Sequence, residues 1–150
     1  MYILGKDIEM KKQDLTTPAI IMEAMEIILG LVYIGLQIFY GITFHVKAYT
    51  FILNILTMIL VYTGLTLLSN YPEKINRIPA EMCVGNIRRY SLWMIRLEKF
   101  IFVVTLLIPC VFDVAGIEIL NTYSLIVIGL MIIIGIYFEY KIIKELRNNK

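Results

Sequence analysis

Residues 69–99, SNYPEKINRIPAEMCVGNIRRYSLWMIRLEK, decide how the chain is read, because they form the one long polar interruption between four apolar segments. This stretch holds six of the fourteen Lys and Arg residues: Lys74, Arg77, Arg88, Arg89, Arg96 and Lys99. Basic loops resist transfer across a bilayer, so the segment is expected on the cytoplasmic side, where it fixes the direction of every neighbouring span. Its first half is rich in turn formers, Asn70, Pro72, Asn76 and Pro79, and its second half reads as a helix from about Asn86. There Ile87, Tyr90, Met94, Leu97 and Ile101 share one face, Arg88, Arg89, Arg96 and Lys99 the other, with Trp93 near the boundary. That pattern is an amphipathic interfacial helix feeding the third span, its basic face suited to anionic lipid headgroups or a partner, or serving only to orient the protein.

Working outward, the expected fold is all-α, an integral membrane four-helix bundle in a single domain, residues 1–150. The composition is 59% apolar and the mean hydropathy +0.79, whereas a soluble domain of this size is about half apolar. The spans are expected at about residues 19–44, 49–68, 100–119 and 123–138, since a hydrocarbon core of roughly 30 Å needs about 20 helical residues. The third is ambiguous: the run 100–112 is too short to cross, so the helix either borrows from the amphipathic segment or continues past Asp113 to about Ile119. Lys6, Lys11 and Lys12 in the lead, the six loop bases, and Lys141, Lys144, Arg147 and Lys150 in the tail make thirteen on one side, against Lys47 alone on the other. Both termini are therefore expected in the cytoplasm.

The net charge of +2 lies in the flanks of apolar segments, which suits orientation in a membrane and gives no reason to expect a nucleic-acid partner. Cys83 and Cys110 lie far apart and form no redox pair, and both are read as reduced. The first eighteen residues contain no apolar core of signal-peptide length, so the first span is expected to insert by itself. Abundant Ile, Lys, Asn and Tyr is the usage of AT-rich bacterial genomes, making a bacterial plasma membrane the expected address.

His45 is the only histidine, which rules out paired axial haem ligation and zinc sites built on two histidines. With no phosphate-cradling glycine loop and no nucleophile elbow, neither an enzyme nor a cofactor is expected. Four features remain. Glu23 and Glu26 lie one turn apart in the first span, either as a cation or proton site or as a complement to the positive helix start; the length argument sets Glu26 at the inner boundary. Asp113 is either an intramembrane acid or the end of the third helix. A stripe of Glu23, Glu26, Gly30, Tyr33, Gln37, Tyr40, Gly41 and Phe44 recurs at helical spacing, and Thr50, Asn54, Thr57 and Gly64 do likewise in the second span. Both stripes are expected to face other helices, with Gly30, Gly41 and Gly64 permitting close approach and Gln37 and Asn54 as candidate polar contacts to substrate. The Asn86–Lys99 basic face is the fourth.

The loop pattern Tyr71-Pro72, Asn76, Pro79, Asn86, Arg89-Tyr90 and Lys99 resembles the inside loop of small bacterial membrane proteins, some related to bacteriocin-immunity proteins. The resemblance covers about thirty residues and implies a small immunity, signalling or accessory protein. The expected function is accordingly a non-enzymatic interaction, accessory or immunity-type membrane protein, contacting lipid and a protein partner or another copy of itself. The alternative is a small proton- or cation-coupled transporter subunit using Glu26 or Asp113.

Overall fold

The computed structural model describes residue 5 and residues 14–148. Lys6, Asp7, Glu9, Lys11 and Lys12 of the lead, and Lys150 of the tail, lie outside the described residues. The fold is all-helical: α1 (Thr17–Thr43), α2 (Ala48–Ser69), the single turn α3 (Pro72–Ile75), α4 (Gly85–Ala115) and α5 (Tyr123–Asn148). Three of these, α1, α2 and α5, are long and apolar enough to cross a membrane, with mean hydropathies of 2.0, 2.1 and 2.1. Their outward faces are rich in large apolar side chains, such as Leu31 at 64% exposed and Leu125 at 70%. Water would penalise such a surface heavily, and hydrocarbon would not.

The helix ends follow from local chemistry. Thr16 takes extended backbone before α1, and Pro18 lies in the first turn, where a missing N–H costs nothing. At the other end His45 adopts φ 51°, and the Val46 N–H donates to the Gly41 carbonyl at 3.0 Å, the closing bond of a Schellman turn. The chain's one histidine therefore holds a left-handed position that usually goes to glycine. Gly116 does the same for α4 at φ 69°, with the Ile117 N–H donating to the Phe112 carbonyl at 3.0 Å. That turn stops the third long helix at Ala115, not Ile119, and leaves Asp113 exposed in the last turn.

The amphipathic segment and the third span prove to be one helix. α4 runs 31 residues, about 46 Å, with no break near Phe100. It is not among the three apolar candidates because Arg96, Glu98 and Lys99 crowd one side of its apolar run and Asp113 the other. An interfacial helix would expose its basic face; α4 instead buries residues over more than half of its circumference, including Ile87, Ser91, Met94, Ile95, Arg96 and Lys99. The reason is its position, since α1, α2, α3 and α5 all pack against it.

Inside α4, Pro109 has no N–H to give the Thr105 carbonyl four residues earlier. The Tyr123 hydroxyl, at the start of α5, donates to that carbonyl at 2.9 Å and supplies the missing partner. Two apolar clusters complete the packing. Tyr33, Met58 and Cys110 join α1, α2 and α4, while Ile78, Cys83, Ile87 and Ile142 tie the loop and α5 to the start of α4. Burial pushes the Cys83 thiol up, keeping it neutral and a poor nucleophile.

The expected inward stripe of α2 holds only at Asn54, which reaches Gln37 of α1. Met58 is the one residue of α2 that is fully buried, whereas Asn54, Thr57 and Gly64 are exposed. The Thr57 hydroxyl donates to the Leu53 carbonyl of its own helix at 2.8 Å, so its polarity requires no neighbouring helix. Gly64 faces open space. In α1, by contrast, every buried residue except Ala19 belongs to the stripe: Glu26, Gly30, Tyr33, Gln37 and Gly41.

Candidate functional site

The acids of α1 meet the bases of α4 in a ladder. Glu23 and Glu26 are three residues apart, as are Arg96 and Lys99, and each set lies on one helix face. Because the pairs form in the same order, Glu23 with Arg96 and Glu26 with Lys99, the two helices run parallel at this point. Just ahead of α1, Asp14 extends the ladder. Its carboxylate accepts from Arg88 Nε at 3.0 Å and Nη2 at 2.7 Å, a bidentate fork, and its carbonyl accepts from Arg96 Nη2 at 2.9 Å.

Burial deepens along the ladder. The Arg88–Asp14 pair is partly accessible and Glu23 remains 39% exposed at its side chain, 3.8 Å from Arg96 Nε. Glu26 and Lys99 are enclosed, at 0% and 1% exposed, with the ammonium 3.0 Å from Oε2. Lys99 also lies 3.4 Å from the Thr66 hydroxyl and 4.9 Å from the centre of the Tyr62 ring, so α2 supplies an oxygen and an aromatic face to the same cation. Apart from the Lys99 ammonium, neither Glu26 oxygen has a donor. Arg96 Nε is likewise buried without an acceptor. An enclosed pair of this kind is weak as a source of stability but costly to break, because removing one member strands the other.

Glu26 faces other helices, as its place in the stripe predicts, and it is fully buried beside Lys99 of α4. Of the residues read as lipid-facing, Arg88, Arg96 and Lys99 turn to acids or a carbonyl of the α1 region, Trp93 is half-buried beside Arg96, and Arg89 alone is exposed. Gln37 is buried and its Oε1 accepts from Asn54 Nδ2 at 3.4 Å, a long bond. Gly41 sits where a Cβ would run into the Phe51 ring; one at Gly30 would lie 3.6 Å from the Met58 methyl. Asp113 stands apart from all of these, beside Glu118 and Asn121 at the other end of the molecule. Among the described residues, no three His, Cys, Asp or Glu side chains gather as they would to hold a metal ion.

Asp14, Tyr62 and Thr66 were not legible as members of this cluster. The pairing of α1 with α4 did leave a signal, the matched three-residue steps Glu23–Glu26 and Arg96–Lys99, visible once helices one and three are taken as parallel. No protein-family model, curated protein or solved structure matches the chain.

Proposed function

We propose that the chain is a non-enzymatic, four-span protein of a bacterial plasma membrane, with both termini and the basic loop cytoplasmic, acting as an interaction, accessory or immunity-type protein. The observation that carries this reading against a transporter is the enclosure of Glu26 against Lys99. A proton- or cation-coupled carrier needs an acid that exchanges its partner for substrate along a wetted path. Here the partner is a lysine of the same chain, and the cleft beside Glu26 is lined mainly by apolar side chains. Asp113, the other acid considered, is exposed at a helix end.

Two experiments test this. Purified protein in liposomes under an imposed proton gradient should leak no faster than empty liposomes; a flux abolished by Glu26→Gln in folded protein establishes the carrier. For orientation, a cysteine at exposed Lys47 should react with an impermeant thiol reagent in intact cells, whereas one at exposed Lys74 or Arg147 should not. Labelling at position 74 from outside reverses the topology.

A further inference from the structure

The ladder between α1 and α4 leaves two bases unused where α4 meets α5. Arg89 is exposed, and its guanidinium carbon lies 5.7 Å from the centre of the Tyr90 ring, while Lys141 of α5 brings its ammonium to 5.2 Å from the centre of the same ring. The Tyr137 ring, one turn earlier in α5, stands 4.7 Å from that ammonium. Two cations from different helices therefore share one aromatic ring. Among the described residues, neither forms an ion pair with an acid, whereas Arg88, Arg96 and Lys99 each do. Like charges held together without a counter-ion repel, so an anion placed between them is attracted by both.

The surroundings decide which anion. Back along α5 from Lys141, the residues Tyr137, Ile133, Leu130 and Ile126 follow at steps of three and four on one helix face, and all four are exposed, from 46% at Leu130 to 65% at Ile133. A free anion or an acidic protein segment would use the two charges and leave this apolar row idle. A lipid uses both, its phosphate at the bases and an acyl chain along the row. Tyr90 and Tyr137 suit the headgroup level, where one end of a tyrosine is apolar and the other wet. Phosphate also fits the two donors, because a guanidinium offers it a fork of N–H groups and an ammonium a compact charge. A zwitterionic headgroup would bring a cation of its own toward Arg89 and Lys141, so the pair favours a lipid of net negative charge.

We propose that Arg89 and Lys141 clamp the phosphate of an anionic phospholipid beside Tyr90 and Tyr137, so that one lipid ties α4 to α5. An acyl chain of that lipid lies along Ile133, Leu130 and Ile126. Neither base belongs to the ladder, so the docking of α4 on α1 does not depend on this lipid. The site rests on the membrane reading above, because its ligand is a bilayer lipid.

Trp93, the chain's one tryptophan, lies one turn from Arg89 on α4 and is half-buried, which makes it a native reporter. The full chain is placed in phosphatidylcholine nanodiscs that contain a rising share of brominated phosphatidylglycerol or, in parallel, of brominated phosphatidylcholine, and the quenching of Trp93 is followed. Half-maximal quenching should come at about tenfold lower mole fraction with the brominated phosphatidylglycerol, as two bases near the surface would give. In the double variant Arg89→Gln/Lys141→Gln, shown to be folded by circular dichroism, the two lipids should become equivalent. The double variant Lys144→Gln/Arg147→Gln removes the same charge from exposed positions of the tail and should keep the preference. Loss of preference in both double variants would overturn the proposal, because total charge alone would then explain the effect. Millimolar inorganic phosphate should not relieve the quenching; relief would make the ligand a free anion and overturn the lipid assignment. Equal quenching by the two lipids in the native chain refutes the site alone, whereas a chain that neither brominated lipid quenches refutes the membrane reading as well.

Discussion

Glu26→Leu and Lys99→Met, made singly, should each lower the unfolding free energy by about 3–5 kcal/mol, while the double variant should fall close to the native chain. The asymmetry follows from enclosure. With Glu26 at 0% exposed and Lys99 at 1%, neither survivor can reach water when its partner is removed. Lys99 would keep only the Thr66 hydroxyl and the Tyr62 ring, both too weak to replace a carboxylate. Replacing both members by aliphatic side chains of similar size removes the two desolvation costs together. Denaturant unfolding in mixed micelles, followed by circular dichroism, reads the three variants as a double-mutant cycle. Additive losses would show that the two residues are not coupled. The same geometry dictates that Glu26→Gln destabilises the fold, so any loss of cellular function in that variant must be compared with its folded amount.

Gly41→Leu should cost about 1–3 kcal/mol more than Gly64→Leu, because the two glycines share helix chemistry and differ in what surrounds them. A Cβ at position 41 collides with the Phe51 ring, near the connection between α1 and α2, whereas one at position 64 meets nothing within 4 Å. Replacing glycine gains the same helix propensity at both sites, so that contribution cancels in the comparison. Thermal unfolding of the two variants in one detergent measures the difference, and Phe51→Ala added to Gly41→Leu should recover part of it. Equal melting temperatures for Gly41→Leu and Gly64→Leu would mean that α1 and α2 do not approach as described.

The long apolar helices were legible because their composition is extreme and bilayer-length periodicity is hard to mistake. So was the buried stripe of α1, where Glu26, Gly30, Tyr33, Gln37 and Gly41 recur at one helical spacing that alternates polar and small residues. The stripe of α2 was misleading for a local reason: Thr57 satisfies itself on Leu53, and polarity alone says nothing of a neighbour. The basic face of α4 misled for a tertiary one. Its pattern of Arg88, Arg96 and Lys99 is the same whether the bases reach headgroups or acids, and only the parallel placement of α1 decides it. Where α4 ends depended on a single residue, Gly116, whose left-handed backbone turned an ambiguous apolar run into a definite stop.

The account stands on the docking of that basic face against α1, and amide hydrogen exchange across residues 88–99 tests it most directly. Protection in nanodiscs should be the same in wholly zwitterionic and in anionic lipid, and should fall when Asp14, Glu23 and Glu26 are replaced together. Protection that rises with anionic lipid and ignores the three acids would mean that the bases face headgroups, and would contradict the account.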